Sequence, residues 1–297
     1  MIRPTDHHGP KSGVPAGVAA AALIAGFSLL GGCASTSSNP SAAAAAAATS
    51  ASATPGSTAH NVHLMVLGDS LPAGDRFLCD NCIPFATWYA HDVEKATGSP
   101  VTVLNEAVND TNTADLLHLL RTNRSVREEV AASDIVVVMS GHNDTPWVSN
   151  SDPCDGAASA EHANWDRYQP TCVARTAQRT GQTLSAVLNE IGRLRQDRPT
   201  AYRVVNFYND NEKDPLADPG GDEPSRAVVD AYSRTICRVA KSHDMLCADV
   251  YHAFNGPHGT NFDGPYVASD HVHPSTAGHR LIAAVLARLG YADVPAA

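Results

Sequence analysis

The chain has 297 residues, a formal net charge of −10 and a hydrophobic fraction of 43%. This acidic balance argues against nucleic acid as a partner, because binding to phosphates needs clustered basic side chains. The length from residue 61 to residue 297 fits one α/β domain.

The N-terminal residues 1–33 have the pattern of an export signal. Arg3 and Lys11 form a basic start, 14–30 is apolar, and the segment ends in Leu-Gly-Gly-Cys33. Small residues directly before a cysteine suit signal cleavage, and we interpret this ending as a bacterial lipobox. Cys33 would then carry the lipid anchor of the mature protein. A plain signal peptide or an uncleaved anchor helix is the alternative.

Residues 34–60 are rich in Ser, Thr, Ala and Pro and contain an unbroken alanine run. Such a segment buries too little apolar surface to offset its ordering entropy, so we predict a disordered tether before a catalytic domain at 61–297. No later segment is long and apolar enough to cross a bilayer. We therefore expect an exported monomer, lipid-anchored on the extracytoplasmic side of the bacterial cell membrane.

Short apolar runs alternate with helical patterns along the predicted domain. β-Branched runs such as IVVVM at 135–139 are typical of buried strands. The predicted strands are 62–67, 101–104, 135–139, 202–207 and 245–250, and the predicted helices are 84–97, 113–131, 173–196, 224–242 and 275–289. Strands that alternate with helices predict a five-stranded parallel sheet in a three-layer α/β/α fold.

Seven cysteines leave six once Cys33 is assigned to lipid. Six cysteines allow 15 pairings, but export to an oxidising compartment favours disulfides, and the six fall into neighbouring pairs. The predicted disulfides are Cys79 with Cys82, Cys154 with Cys172, and Cys237 with Cys247. A zinc site or a redox pair at the CxxC is the alternative, although the chain has no second CxxC to complete a zinc site.

Two short stretches, distant along the chain, supply complementary chemistry: Gly68-Asp69-Ser70 and Asp270-His271-Val272-His273-Pro274. A serine hydroxyl becomes a useful nucleophile beside a base. A histidine is that base when a carboxylate orients its other ring nitrogen. Gly, Asp and Ser are also turn formers, so it is their joint occurrence that predicts hydrolysis of an acyl bond.

The placement of these residues agrees with their chemistry. Ser70 follows the first predicted strand and Asn143 follows the third, and sites in open parallel sheets form at the carboxyl ends of strands. Of the two histidines, His273 is favoured as the base because the proline after it restricts its backbone. His271 is the competing base, but it points the opposite way if the segment is extended.

The chain resembles the SGNH (GDSL-type) hydrolase superfamily in three blocks that span the predicted domain: Gly68-Asp69-Ser70, Gly141-His142-Asn143-Asp144 and Asp270-xx-His273. The resemblance implies a flavodoxin-like fold, with Ser70 as nucleophile and His273 and Asp270 as its triad partners. It also implies that the Asn143 amide and the Ser70 backbone N–H stabilise the oxyanion. The expected substrate is a small-molecule, lipid or carbohydrate ester, without a cofactor.

One position departs from the superfamily pattern, which usually has a glycine after the second strand as a third oxyanion donor. Asp110 stands where that glycine would be. Its backbone N–H remains available as a donor, but a nearby carboxylate opposes developing negative charge unless it points away. We therefore expect an unusual substrate or slow turnover. The alternative function is a non-catalytic envelope-binding protein that has lost its oxyanion site.

Two further features leave alternatives open. The chain has 14 histidines, but it lacks HExxH and the ligand order of metallophosphoesterases, so we expect no catalytic metal. The segment from Thr145 to Thr171 contains Trp147, Trp165 and Tyr168. It is interpreted either as a lid or specificity element or as an aromatic cluster that packs around a disulfide.

Overall fold

The computed structural model describes residues 60–148, 153–155, 163–196 and 198–295. The predicted export signal, Cys33 and almost all of the predicted tether lie outside these described residues. Within them, none of the helices combines the length and the apolar character needed to cross a bilayer.

A five-stranded parallel sheet forms the centre of the fold. Its strands are β1 (Val62–Gly68), β2 (Val101–Asn105), β3 (Ile135–Met139), β4 (Ala201–Val205) and β5 (Leu246–Ala248). They lie in the order β2-β1-β3-β4-β5, and every neighbouring pair is parallel. The strand order therefore reverses between β1 and β3, where ligands bind in sheets of this kind.

Eight α-helices connect and cover the strands within the described residues: α1 (Ser70–Ala73), α2 (Phe85–Thr97), α3 (Thr113–Thr122), α4 (Arg124–Ala132), α5 (Pro170–Arg195), α6 (Asp222–Ser242), α7 (Val250–Asn255) and α8 (Thr276–Ala287). Helix α2 packs against α8, whereas α5 packs against α3, α4 and α6. Right-handed crossovers place helices on opposite faces when the strand order reverses. The predicted three-layer, flavodoxin-like fold is confirmed.

The core lies on both faces of the sheet. All five residues of β3 are buried, as expected for a central strand covered by helices on both sides. Full burial of an apolar side chain of this size contributes about 1.5–3 kcal/mol. This packing fixes the carboxyl ends of β1 and β3 relative to each other.

Three predicted elements were wrong in extent. The helix predicted at 113–131 is two helices, because Asn123 (φ −83°, ψ 111°) ends α3 and its side chain accepts from the Val126 N–H at the start of α4. The strand predicted at 245–250 is shorter, because Asp249 caps α7, which begins at Val250. The strand predicted at 202–207 ends at Val205.

The predicted disulfide pairing is confirmed. Bonds join Cys79 to Cys82, Cys154 to Cys172, and Cys237 to Cys247. The sulfur atoms of the CxxC pair are therefore bonded to each other. The zinc alternative required these same two sulfur atoms to be thiolate ligands.

Candidate active site

The sharp turn after β1 presents Ser70 at the carboxyl edge of the sheet. Gly68 has φ +150°, and a Cβ built there would lie 1.8 Å from the Met139 carbonyl oxygen of the neighbouring strand, so only glycine fits. Asp69 then caps α1: its Oδ1 accepts from the Leu71 N–H at 3.1 Å. The hydroxyl of Ser70 is thus held at the first residue of a helix.

Ser70, His273 and Asp270 come together across the fold. Nε2 of His273 lies 2.9 Å from Oγ of Ser70, and Nδ1 lies 2.5 Å from Oδ2 of Asp270. Oδ1 of Asp270 accepts from the backbone N–H groups of Val272 (3.0 Å) and His273 (2.9 Å). The two ring nitrogens therefore face a hydroxyl and a carboxylate, the geometry of a general base and its orienting acid.

Hydrogen bonds keep Asp270 charged. Burial alone would raise the pKa of Asp270, but bonds from the His273 ring and from two backbone N–H groups outweigh burial and hold this pKa below its ordinary value. An ionised carboxylate is the form that fixes the His273 tautomer and stabilises an imidazolium.

His271, the competing base, has a different partner. Its backbone is left-handed (φ +62°), and its Nδ1 lies 2.6 Å from Oδ2 of Asp214. The segment between the two histidines is itself fixed, because the Tyr208 hydroxyl donates to the Val272 carbonyl at 2.6 Å. His271 and His273 are therefore oriented by separate carboxylates.

Asn143 lies in the 3₁₀ turn His142–Asp144 after β3. Its Nδ2 donates to the Thr111 carbonyl at 2.8 Å, which links this turn to the segment after β2. An amide nitrogen carries two hydrogens, so this bond leaves one of them for another acceptor. The role of Asn143 as an oxyanion donor stays a prediction.

Asp110 has the backbone conformation of a glycine position. Its φ is +62° and its side chain is exposed. The segment around it is tied to β1, because the Val108 N–H donates to the Gly68 carbonyl at 3.0 Å. Asp110 therefore adopts the positive φ of the glycine that the superfamily usually has at this position. The role of the Asp110 N–H as an oxyanion donor stays a prediction.

A histidine–aspartate pair with a buried imidazole adjoins the nucleophile turn, and sequence reasoning missed it. His142 is buried and its Nε2 lies 3.2 Å from Oδ2 of Asp210. Burial lowers the pKa of His142, but the carboxylates of Asp210 and Asp69 outweigh burial and raise it overall. Burial raises the pKa of Asp69 to about 6. The one signal in the sequence was the position of Asp210 shortly after β4, at the same edge of the sheet.

An apolar cavity of about 400 Å³ adjoins the turn. Gly68 and Thr111 line it on the side of the nucleophile turn, and Val108, Leu116 and Leu119 contribute apolar side chains. Neither Ser70 nor His273 belongs to the lining, which polar residues complete: Asp115, His118, Thr122 and Asn123. The cavity therefore borders the nucleophile turn on the side of α3.

One group of potential metal ligands occurs in the described part of the chain. Sγ of Cys79, Sγ of Cys82 and a ring nitrogen of His279 lie within 4.8 Å of one another. Because the two sulfur atoms form a disulfide, they are not thiolates and do not offer the charge that zinc requires.

The aromatic residues of the segment from Thr145 to Thr171 pack against one another. The ring centroids of Trp165 and Tyr168 are 4.9 Å apart, and those of Trp147 and Trp165 are 5.7 Å apart. Tyr168 is buried. The described residues of the segment therefore form an aromatic cluster, and the choice between a lid and packing around the disulfide stays open; 149–152 and 156–162 lie outside the described residues.

Comparisons with known proteins agree with this geometry. The family model for the GDSL-like lipase/acylhydrolase family matches residues 66–281. No curated protein matches the chain. The fold is similar to that of the lipase Lip_vut3 from a goat rumen metagenome, with TM-score 0.63, 18% identity, and coverage of 79% of this chain and 100% of that one.

Two further solved structures have the same fold at similar identity. The acetylxylan esterase Axe2 from Geobacillus stearothermophilus has TM-score 0.53 and 19% identity over 80% of this chain and 97% of its own. The lipase/acylhydrolase from Enterococcus faecalis has TM-score 0.50 and 17% identity over 77% and 94%. Axe2 has also been solved as catalytic mutants in which a serine, a histidine or an aspartate is replaced by alanine.

Proposed function

Because the chain belongs to the GDSL-like lipase/acylhydrolase family, we propose that it is a serine esterase that cleaves carboxylic esters through an acyl-enzyme. The observation that carries this proposal is the 2.9 Å contact between Ser70 Oγ and His273 Nε2, with Asp270 on the opposite ring nitrogen. The proposed catalytic residues match in type the three that are replaced in the catalytic mutants of Axe2.

The reaction has two steps in this proposal. Ser70 Oγ attacks the ester carbonyl carbon while its proton passes to Nε2 of His273, and the resulting imidazolium is stabilised by Asp270. The imidazolium then protonates the leaving alcohol, and the C–O bond of the ester breaks. Water, deprotonated by His273, attacks the acyl-enzyme and releases the acid and the Ser70 hydroxyl.

Negative charge develops on the carbonyl oxygen in both steps. The Asn143 amide and the backbone N–H of Ser70 are proposed as donors to it, with the N–H of Asp110 as a third. Preorganised donors of this kind act on the transition state and not on the bound ester.

The apolar cavity beside Gly68 and Thr111 favours a substrate whose acyl group is apolar. In this proposal the acyl chain lies against Val108, Leu116 and Leu119, and the alcohol is a lipid or a cell-envelope carbohydrate. A panel of p-nitrophenyl esters of increasing chain length tests the cavity. A kcat/KM that rises with chain length up to the capacity of the cavity supports it, and a strict preference for acetate argues against it.

A fluorophosphonate probe tests the catalytic proposal directly. The parent protein should become labelled and should hydrolyse p-nitrophenyl esters, whereas Ser70→Ala should do neither. A folded parent that stays unlabelled and inactive would support the alternative, a non-catalytic envelope-binding protein. Hydrolysis by Ser70→Ala equal to that of the parent would assign the nucleophile elsewhere.

We also propose that the protein is anchored by lipid at Cys33 on the extracytoplasmic side of the bacterial cell membrane. The three disulfides support export, because such bonds persist in oxidising compartments. A Cys33→Ala variant should move from the membrane fraction to the soluble fraction. Retention of that variant in the membrane would instead support an uncleaved anchor helix.

A further inference from the structure

The short disulfide Cys79–Cys82 closes a turn with an uncommon backbone. The residues between the cysteines, Asp80 (φ 56°) and Asn81 (φ 59°), are both left-handed, and the Cys82 N–H donates to the Cys79 carbonyl at 3.1 Å. Consecutive left-handed residues other than glycine are rare, and Asp and Asn are among the few that tolerate this conformation. We call residues 79–82 the disulfide turn.

The disulfide turn contacts the residue that precedes the proposed triad acid. One carboxylate oxygen of Asp80 accepts from the Ser269 N–H at 2.7 Å, and the other accepts from the Ser269 hydroxyl at 2.8 Å. Ser269 is followed directly by Asp270. The two bonds therefore fix both the backbone and the side chain at the start of the segment that reaches His273.

The same turn contacts the element that follows the proposed base. The two sulfur atoms lie within 4.8 Å of a ring nitrogen of His279, which is fully buried in α8. Burial lowers the pKa of His279 to about 4, so its ring is neutral at physiological pH and packs as an uncharged surface. Helix α8 begins shortly after His273, so the disulfide turn contacts the segment on both sides of residues 270–273.

We propose that the disulfide turn positions the Asp270–His273 pair, with Asp80 as a positioning residue that acts through Ser269. This inference rests on the proposed esterase function. Without the two Asp80 bonds, the start of the segment is no longer fixed at Ser269, and the carboxylate of Asp270 is held only by bonds from within residues 272–273. A shift of this segment as a whole then moves the His273 ring relative to Ser70. Displacements of about 1 Å are enough to lower turnover by up to about 100-fold.

A role in stability alone explains this disulfide less well. A disulfide constrains the unfolded chain more as the closed loop grows. The sequence separation is 3 for Cys79–Cys82, against 18 for Cys154–Cys172 and 10 for Cys237–Cys247. The Cys79–Cys82 bond thus has the weakest entropic effect of the three, while the residues of its turn contact Ser269 and His279, on either side of residues 270–273.

Three substitutions in one turn test the role of Asp80. Asp80→Gly removes the carboxylate and keeps a residue that accepts positive φ, and it should lower kcat about 10-fold with KM unchanged. Asp80→Asn should retain most of the activity, because its amide can accept from the Ser269 N–H and donate to the Ser269 hydroxyl. Asn81→Gly is the matched control and should keep the parent kcat.

The disulfide itself is tested by a pair of double variants. The kcat of each is calculated per active site, with the active sites titrated by fluorophosphonate. Cys79→Ser with Cys82→Ser should lower kcat about as much as Asp80→Gly does, because the turn no longer holds Asp80. Cys237→Ser with Cys247→Ser should lower the melting temperature more but leave kcat per active site unchanged.

A measurement independent of turnover separates this inference from the esterase proposal. The proton shared by His273 Nδ1 and Asp270 should give a far-downfield proton NMR signal, assigned by its loss in His273→Ala. That signal should weaken or shift in Asp80→Gly and persist in Asn81→Gly and Asp80→Asn, whether or not the protein hydrolyses esters. An unchanged signal and an unchanged kcat in Asp80→Gly would overturn the inference, as would equal losses in Asp80→Gly and Asn81→Gly.

Discussion

Among the histidine–aspartate pairs near the carboxyl edge of the sheet, two differ most clearly in what surrounds the imidazole. His273, paired with Asp270, directs its second nitrogen at the hydroxyl of Ser70. His142, paired with Asp210, is buried and packs edge-on against the ring of Phe207 at 5.5 Å. The same two residue types thus face a serine hydroxyl in one region and an aromatic ring in the other. Placement, and not residue type, separates the two roles.

The carboxylates of the two regions differ in the same way. Burial raises the pKa of Asp69 to about 6, and only one of its oxygens has a hydrogen-bond partner. Asp270 is less buried and accepts hydrogen bonds from its partner ring and two backbone N–H groups, so its pKa lies below the ordinary value. When their environments move the pKa values of two nearby carboxyl groups in opposite directions, the two groups suit different roles. Asp270 suits a permanent charge, whereas Asp69 suits a helix cap.

The largest expected effect separates the two histidines. His273→Ala should lower kcat by about 10⁴–10⁶-fold, because it removes the base that activates Ser70. His142→Ala should instead destabilise the fold by about 1–3 kcal/mol, because Asp210 loses its hydrogen-bond partner on the buried side and keeps only the bond from the Asn211 amide. Steady-state ester hydrolysis and urea unfolding measure the two effects. Equal losses of kcat per folded molecule in both variants would contradict the comparison.

The next effect concerns the two aspartates that orient these rings. Asp270→Asn should lower kcat by about 10⁴-fold, because an amide in that position favours the wrong tautomer of His273. Asp210→Asn serves as the matched control and should keep kcat close to that of the parent. The measurement is kcat on a p-nitrophenyl ester, normalised to folded protein. If Asp210→Asn lost as much activity as Asp270→Asn, the buried pair would belong to the catalytic machinery.

A smaller loss is expected at the oxyanion. Asn143→Ala should lower kcat by about 10²–10³-fold with little change in KM, because the amide acts on charge that develops in the transition state. Asp110→Gly is the control, since Asp110 is exposed and its φ of +62° suits glycine. Its charge is screened by solvent, so kcat should change by no more than about threefold. A loss of activity in Asp110→Gly comparable to that in Asn143→Ala would contradict this assignment.

The smallest effect is a pH dependence of stability at Asp69. The pKa of Asp69 is raised from 3.8 to about 6 in the folded protein, so the folded state binds this proton more tightly than the unfolded state. The parent should therefore lose stability as pH rises from about 4 to 6, by roughly 3 kcal/mol from this group. Asp69→Asn keeps the acceptor for the Leu71 N–H and removes the charge. The free energy of unfolding of Asp69→Asn minus that of the parent should become more positive by roughly 3 kcal/mol between pH 4 and pH 7; a constant difference would contradict the prediction.

The sequence predicted the parallel sheet and the edge of the sheet on which the site lies, because these follow from local patterns. Strand β3 is a continuous β-branched run, and Ser70 and Asn143 each follow a strand directly. The disulfide pairing was also accessible, since each pair is close in sequence. The break between α3 and α4 at Asn123 could not be predicted. A single capping asparagine inside a helical pattern leaves the hydrophobic periodicity of the residues around it almost unchanged.

Contacts between distant residues were beyond sequence reasoning for a different reason. Asp210 reaches His142, Asp214 reaches His271, and Asp80 reaches Ser269 only through the tertiary fold. Each of these aspartates lies in a segment with turn composition, where acidic residues are common without a partner. Nothing in the local pattern distinguishes an aspartate that orients a histidine from one that only begins a turn.

The lack of space around Gly68 limits which positions of this protein can be varied. Because any side chain there would collide with the Met139 carbonyl oxygen, the nucleophile turn offers almost no freedom to evolve. Variation is better tolerated where only a side chain borders the cavity, as at Leu119 and at Val108, whose side chain is exposed and whose bond to the Gly68 carbonyl comes from its backbone N–H. Mutant libraries focused on those two positions should therefore return active clones far more often than libraries that include Gly68.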